Sequence, residues 1–186
     1  MQEKENILRI FEESKKALKK EDVLALKELS NETIHTASIS QDPDNIAIAV
    51  IIYSLSKIVE RKKYQGYPEW KKFYKKIIEC VDLLLETIKK ENYLEMRNQI
   101  NMLRKNVESL SGNLKKYILE VFRKASINKA SRIYEHGISM EKTAKLLGIS
   151  IWELAEYSGT TGISNVSLGK TIDIQSRIKI VNDIFE

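Results

Sequence analysis

Residues 46–59 read IAIAVIIYSLSKIV, a stretch of 14 residues that is apolar at nearly every position. Asp42 and Pro43 precede it, and this pair is typical of a helix start, with Asp as the N-cap and Pro in the first turn. A helix that is apolar on almost all sides is normally buried at the centre of a bundle. A membrane span needs about 20 such residues. The stretch therefore predicts a buried central helix.

The segments on both sides of this stretch carry apolar residues at helical spacing among charged ones, which is typical of amphipathic helices. Only 7 glycines and 2 prolines occur in 186 residues, which argues against a β-sandwich with its frequent turns. We therefore expect an all-α fold, with an up-and-down helical bundle in residues 1–136 and a smaller unit in residues 137–186. The predicted bundle helices cover residues 3–20, 22–40, 42–63, 68–88, 93–110 and 113–136.

The composition narrows the possible functions. Cys80 is the only cysteine, and His35 and His136 are the only histidines, so neither a disulfide framework nor a cysteine or histidine metal cluster is expected. The N-terminus is charged from its third residue and shows no apolar signal segment. We expect a cytoplasmic, non-enzymatic protein that needs no cofactor and does not enter a membrane.

One specific motif follows the predicted bundle, in residues 138–159, which read ISMEKTAKLLGISIWELAEYSG. A helix-turn-helix needs a small residue where its helices touch, a glycine at the turn and apolar residues around that turn. The spacing fits this pattern, and Ser139 and Ser150 are natural N-caps for the two helices. The positions that match are Ala144 at the contact, Leu147, Gly148 and Ile149 at the turn, and Leu154 on the inner face.

The motif leaves two functions open. In DNA-binding proteins the first residues of the second helix meet base edges, and here these include Ser150, Trp152 and Glu153, with no Arg, Lys, Asn or Gln among the neighbours. Residues 135–186 carry five Lys/Arg and seven Asp/Glu, so the net positive charge lies in the preceding residues. The helix pair therefore either contacts DNA or packs against the bundle or a protein partner, with Trp152 and Ser150 as candidate contacts.

The same region resembles a known family. Residues 132–139, RIYEHGIS, and residues 144–154, AKLLGISIWEL, are similar to a small prokaryotic helix-turn-helix family with many archaeal members. These antitoxin-like proteins are often encoded beside PIN-domain nucleases. The resemblance is limited to about residues 130–160. It implies a regulatory or partner-binding protein rather than an enzyme.

Basic residues are concentrated in the last predicted helix of the bundle. Residues 104–132 contain eight Lys/Arg and two Glu, and a second basic group surrounds the segment 64–68. Such groups either form solvated helix faces or contact the phosphates of duplex nucleic acid without reading the sequence. The candidate nucleic-acid contacts are Lys115, Lys116, Arg123, Lys124 and Lys129.

Two further patterns give weaker predictions. Arg132 and His136 resemble the Arg–His pair of HEPN-type helical ribonucleases, which keeps a helical ribonuclease as a remote alternative. Residues 173–185 carry apolar side chains at helical spacing, so they predict a terminal helix. Because such a short helix is unstable alone, we expect it to dock on the helix-turn-helix or on a second subunit in a homo-oligomer.

Overall fold

The computed structural model describes residues 4–40 and 42–161, and every regular element in these ranges is helical. The all-α prediction is therefore confirmed for the described part of the chain. The predicted terminal helix at 173–185 lies outside the described residues. The elements are α1 (Lys4–Lys19), α2 (Val23–Ser40), α3 (Pro43–Glu60), a 3₁₀ helix (Lys62–Gly66), α4 (Trp70–Lys89), α5 (Tyr93–Glu108), α6 (Gly112–Glu135), α7 (Met140–Leu147) and α8 (Ile151–Thr160).

The predicted helix boundaries differ from the observed ones by two residues or more at three places, and elsewhere by one residue at most. Helix α3 ends at Glu60 rather than at residue 63, because the chain tightens into the 3₁₀ helix. Helix α4 begins at Trp70, two residues after the proline expected to open it. Helix α5 ends at Glu108, two residues before its predicted end.

Helix α3 is the centre of the structure, as its sequence predicts. The Asp42 side chain accepts a hydrogen bond from the Asp44 backbone N–H at 2.9 Å and caps the helix start. Helix α3 packs against α1, α2, α6 and α7, and apolar side chains on several of its faces are buried. The uniform apolar pattern is explained because neighbours surround α3 on most sides.

Three apolar clusters of decreasing size hold the helices together. The largest is built from α1 to α6 and the 3₁₀ helix, and includes Phe11, Ile52 and Leu84. A second cluster, which includes Ile34, Ala37, Ile133 and Ile138, joins α2, α3 and α6 to the start of the α7 region. The third consists of Ala130, Ala144 and Leu154. Helices α7 and α8 are thus attached to the rest through the two smaller clusters.

We refer to α1–α3 and α4–α6 as the two halves of the first six helices, and both contain the same kind of turn between their first and second helices. The turn that joins α1 to α2 (residues 19–23, KKEDV) and the turn that joins α4 to α5 (residues 89–93, KKENY) lie 70 positions apart. Glu21 and Glu91 occupy the same left-handed conformation, with φ of 53° and 55°. The next residue, Asp22 or Asn92, then accepts a backbone hydrogen bond at 3.0 Å in the following helix.

The two halves differ in how their second and third helices pack. Helices α2 and α3 pack closely along their length, whereas α5 has few contacts with α6. The separation leaves an apolar groove of about 330 Å³ between α3, α5, α6 and α7. Its lining includes Val50, Leu103, Leu119, Phe122 and Leu147.

Candidate functional site

The turn between α7 and α8 depends on one glycine. Gly148 ends α7 in the left-handed conformation, with φ 64° and ψ 31°, as the sequence predicts. The backbone N–H of Ile149 donates to the carbonyl of Ala144 at 3.1 Å and closes the turn. A Cβ atom at position 148 would have no other atom within 4 Å. The requirement for glycine is therefore conformational and does not come from a lack of space.

Serine side chains begin both helices of this α7–α8 pair. Ser139 Oγ accepts a hydrogen bond from the Lys142 backbone N–H at 3.3 Å. At the start of α8, Ser150 Oγ accepts from the Glu153 N–H at 3.1 Å, and Glu153 Oε2 accepts from the Ser150 N–H at 2.9 Å. This reciprocal arrangement is a capping box, and it fixes the first turn of α8.

The predicted turn and contact residues lie together in the structure. Ala144 and Leu154 are buried and pack against Ala130 of α6. Leu147 and Ile149 are partly buried around the same cluster. Four of the five residues chosen from the sequence therefore form the apolar interior of the α7–α8 pair and part of its contact with α6, whereas Gly148 is exposed at the turn.

The first turn of α8 exposes apolar surface. The Trp152 side chain is 84% exposed, more than any other large apolar side chain in the described residues, and Ile151 is 45% exposed. Ser150 is also exposed. Trp is enriched at the centres of protein interfaces, so this turn is a candidate contact for a partner.

Glu153 faces back toward the bundle instead of outward. Nε and Nη2 of Arg123, on α6, donate to Glu153 Oε1 at 2.9 and 2.6 Å. The Ser150 backbone N–H, then Arg123 and then the Ser150 hydroxyl lower the pKa of the Glu153 carboxyl to about 2. The carboxylate is thus ionised and bound at neutral pH, and it ties α8 to α6.

A cleft of about 420 Å³ lies between α3, α6 and α8, beside this ion pair. Asn128 Nδ2 donates to the Tyr157 hydroxyl at 3.0 Å inside it. Burial, followed by the nearby Tyr157, raises the pKa of the Tyr53 hydroxyl. The charged side chains that line the cleft are Lys57, Arg61, Arg123, Lys124, Glu153 and Glu156.

The basic residues predicted to contact nucleic acid differ in their exposure and in the side of α6 on which they lie. Lys116, Arg123 and Lys124 are exposed; Lys116 and Arg123 lie about 20° apart around the axis of α6, and Lys124 lies about 80° from Lys116. Lys115 is partly buried and lies about 100° from Lys116 in the other direction, on the side of Leu119, which lines the apolar groove. Lys124 Nζ lies 2.6 Å from a carboxylate oxygen of Glu120, and this contact lowers the pKa of the Glu120 carboxyl. Arg61 and Lys63, which follow α3 in the sequence, lower the same pKa by a smaller amount.

The prediction that Lys129 contacts nucleic acid is wrong, because its side chain is fully buried. Lys129 Nζ donates to Asn31 Oδ1 at 2.9 Å and lies 4.3 Å from the centre of the Tyr53 ring. Burial, with a smaller contribution from Arg132, lowers the pKa of Lys129 to about 7. The helical spacing that places Val121 and Ala125 inward continues to position 129, and this signal predicts the burial.

Sequence reasoning did not find Tyr53, Asn128 and Tyr157 as residues of the cleft. Tyr53 is the only aromatic residue in the apolar stretch 46–59, and Lys57 follows it by one helical turn. Tyr53 and Lys57 therefore indicate a face of α3 that carries polar groups. Asn128 and Tyr157 lie on different helices, and no sequence pattern connects them.

Arg132 and His136, the two residues on which the ribonuclease alternative depends, contact different groups. Arg132 Nη1 donates to Glu135 at 2.9 Å. The His136 ring instead lies against the Arg132 main-chain carbonyl and against His35. The two side chains do not share a common partner in the described residues.

No protein-family model, curated protein or solved structure matches this chain. None of the described helices is both long enough and apolar enough to cross a bilayer. The functional argument therefore rests on the geometry of the α7–α8 pair and of the surface beside it.

Proposed function

We propose that this is a cytoplasmic, non-enzymatic regulatory protein that binds duplex nucleic acid beside a C-terminal helix-turn-helix. In this proposal the first six helices are an up-and-down bundle that serves as the scaffold, and α7 and α8 are the helix-turn-helix. The observation that carries the proposal is the group of exposed cations on α6, formed by Lys116, Arg123 and Lys124, of which Arg123 binds Glu153 in the first turn of α8.

The charge of this surface supports contact with phosphates. Four cations and two carboxylates line the cleft, so its local excess is positive. Arg123 uses two of its five N–H donors on Glu153 and retains others for a phosphate oxygen. The cations are Lys57, Arg61, Arg123 and Lys124, and the carboxylates are Glu153 and Glu156.

The expected binding is weak and independent of base sequence. The exposed start of α8 presents Ser150, Ile151 and Trp152, and none of these supplies the bidentate hydrogen bonds that read bases in the major groove. Contacts to phosphate position a protein but carry no sequence information. The resemblance to antitoxin-like helix-turn-helix proteins adds independent support for a regulatory role, in which a partner protein or a second copy would supply specificity.

Fluorescence anisotropy with a labelled 20-base-pair duplex tests the proposal. If three side chains each neutralise one phosphate, the affinity falls about 40-fold between 50 and 200 mM salt. Lys116→Glu weakens binding and makes the salt dependence shallower. Lys115→Glu is the matched control, because it changes the net charge equally at a neighbouring position on another side of α6. Absence of binding at 50 mM salt, or equal effects of the two substitutions, contradicts the proposal.

A protein partner on α8 is the second candidate function, and the exposure of Trp152 favours it. Sedimentation velocity of the full chain over a range of concentrations detects self-association. A dimer that Trp152→Ala dissociates identifies a second copy as the partner. Leu94→Ala is the control, because Leu94 is a 74% exposed apolar side chain on α5. A monomer at all concentrations rules out self-association through α8.

A further inference from the structure

The fold brings together the only two histidines of the chain, which are 101 residues apart in the sequence. His35 lies in the last turns of α2, and His136 is the residue at the C-terminal end of α6. Nδ1 of His35 lies 3.4 Å from Nε2 of His136, and the two rings meet at an interplanar angle of 60°. Both side chains are exposed to solvent.

The backbone fixes which nitrogen of His136 is available. Nδ1 of His136 lies 2.7 Å from the carbonyl oxygen of Arg132. Because a carbonyl only accepts hydrogen bonds, Nδ1 carries the proton, and in the neutral ring the lone pair is on Nε2, which faces His35. A histidine that binds a metal is usually oriented in this way, with its second nitrogen donating to a backbone carbonyl.

We propose that the His35–His136 pair is a binding site for a divalent transition-metal ion of the Zn²⁺ class. Two imidazole nitrogens that are each about 2.0–2.1 Å from a tetrahedral ion lie about 3.3–3.4 Å apart, which matches the observed distance. Square-planar coordination, which Cu²⁺ prefers, brings them to about 2.9 Å. The geometry therefore favours Zn²⁺ over Cu²⁺.

Binding requires a shift of one proton within His35. The hydrogen bond between the rings has His35 Nδ1 as donor, since His136 Nε2 is the acceptor. When the ion takes both lone pairs, the His35 proton moves to Nε2, which leaves both rings neutral. The described residues contain no cluster of three His, Cys, Asp or Glu, so water or an added ligand completes the coordination.

The surroundings favour a cation. His136 lies at the C-terminal end of α6, where the exposed carbonyl groups carry partial negative charge. Glu32, three residues before His35, pairs with Arg9 at 2.6 Å, and Glu135, next to His136, pairs with Arg132 at 2.9 Å.

An ion at this position would link α2 to α6 immediately before the α7–α8 pair. The apolar cluster that includes Ile34, Ala37, Ile133 and Ile138 lies at the same junction. Gly137 follows His136 directly, with φ 87°, and turns the chain toward α7. The metal would thus stabilise the junction through which the α7–α8 pair is attached.

Isothermal titration of the full chain, prepared without a histidine tag, with ZnCl₂ at pH 7.5 tests the site. We expect one ion per chain with a micromolar dissociation constant and a higher melting temperature in its presence. His35→Gln and His136→Gln each weaken binding at least about tenfold, because each removes one of two protein ligands. Cys80→Ala is the control for the buried thiol and leaves binding unchanged.

A second measurement on the unaltered protein keeps the proposal falsifiable if a variant does not fold. Addition of EDTA removes the ion and reverses the rise in melting temperature, and dialysis followed by fresh ZnCl₂ restores it. Absence of saturable binding up to 1 mM Zn²⁺, about a hundredfold or more above the expected constant, overturns the proposal. Unchanged affinity in folded histidine variants also overturns it, since the ion is then bound elsewhere.

Discussion

The first six helices and the α7–α8 pair are stabilised in different ways. The six helices share one large cluster of buried apolar side chains, to which every one of them contributes. The α7–α8 pair has only the small cluster of Ala130, Ala144 and Leu154 and part of the second cluster. It adds polar contacts to α6, from Arg123 to Glu153 and from Asn128 to Tyr157.

This difference predicts which part of the structure opens locally while the rest stays folded. Apolar burial stabilises in proportion to the area removed from water, so the bundle has the larger share of the stability. The α7–α8 pair has few apolar contacts and exposed polar ones, which is typical of segments that open locally without global unfolding. The proposed binding surface and the proposed metal site both lie where this weaker part joins the stronger one.

The largest expected effect compares two fully buried leucines. Leu84 belongs to the large cluster and Leu154 to the smallest one, and both are 0% exposed. Leu84→Ala lowers the free energy of unfolding of the whole protein by about 2–5 kcal/mol. Leu154→Ala mainly opens the α7–α8 pair. Hydrogen exchange measured by mass spectrometry distinguishes global unfolding from local opening. If both variants lose protection equally throughout the chain, the two regions do not differ in stability.

Lys129→Met tests whether the buried ammonium group destabilises the bundle beside the cleft. The folded pKa of about 7 is below the unfolded value near 10.4, so the unfolded chain binds more protons between these values. The stability of the native protein therefore rises with pH from 7 to 10.4. Lys129→Met stabilises by about 1–3 kcal/mol at pH 7 and flattens this rise.

Urea unfolding at pH 7 and pH 9.5 measures both effects. Lys116→Met is the control, because it removes an exposed lysine of the same helix and leaves the pH dependence unchanged. If Lys129→Met is less stable than the native protein at pH 7, the hydrogen bond to Asn31 and the contact with Tyr53 outweigh the cost of burial.

Gly148→Val tests the turn of the α7–α8 pair. A β-branched residue in the left-handed conformation costs about 1–2 kcal/mol, and there is no steric clash to add to this cost. Gly159→Ala is the control, since Gly159 is helical and has open space around it, so alanine there is neutral or stabilising. Thermal denaturation of both variants provides the measurement. A Gly148→Val protein that melts like the native one contradicts the dependence on positive φ.

The smallest effect concerns the capping carboxylate of α8. The Glu153 pKa of about 2 is below the ordinary value near 4.3, so its contribution is present above that value and is lost as the pH falls from 4.3 to 2. Exchange protection of α8 decreases over this window. Glu153→Gln removes this pH dependence, whereas Glu156→Gln, at an exposed position of the same helix, retains it. The same acid dependence in both variants assigns the effect to another group.

Much of the local structure could be predicted because short-range physics controls it. The apolar pattern of α3, the Asp42 cap, the positive φ of Gly148 and the capping box at Ser150 each depend on residues within one or two helical turns. The left-handed conformation of Glu21 and Glu91 was not predicted, because glutamate rarely adopts it. Backbone hydrogen bonds close both turns, from the Asp22 N–H to the Ala17 carbonyl and from the Asn92 N–H to the Thr87 carbonyl, each at 2.9 Å.

The candidate site was only partly predictable, because its parts come from distant segments. The sequence alone determined that the chain is helical, that α3 is central and that a glycine turn joins two short helices near residue 148. Only the tertiary structure decided that Lys129 is buried, that Trp152 is exposed, that Arg123 binds Glu153 and that the two histidines meet. The physical reason is that helical periodicity gives the direction of a side chain around its own axis, whereas its partner depends on how the axes pack.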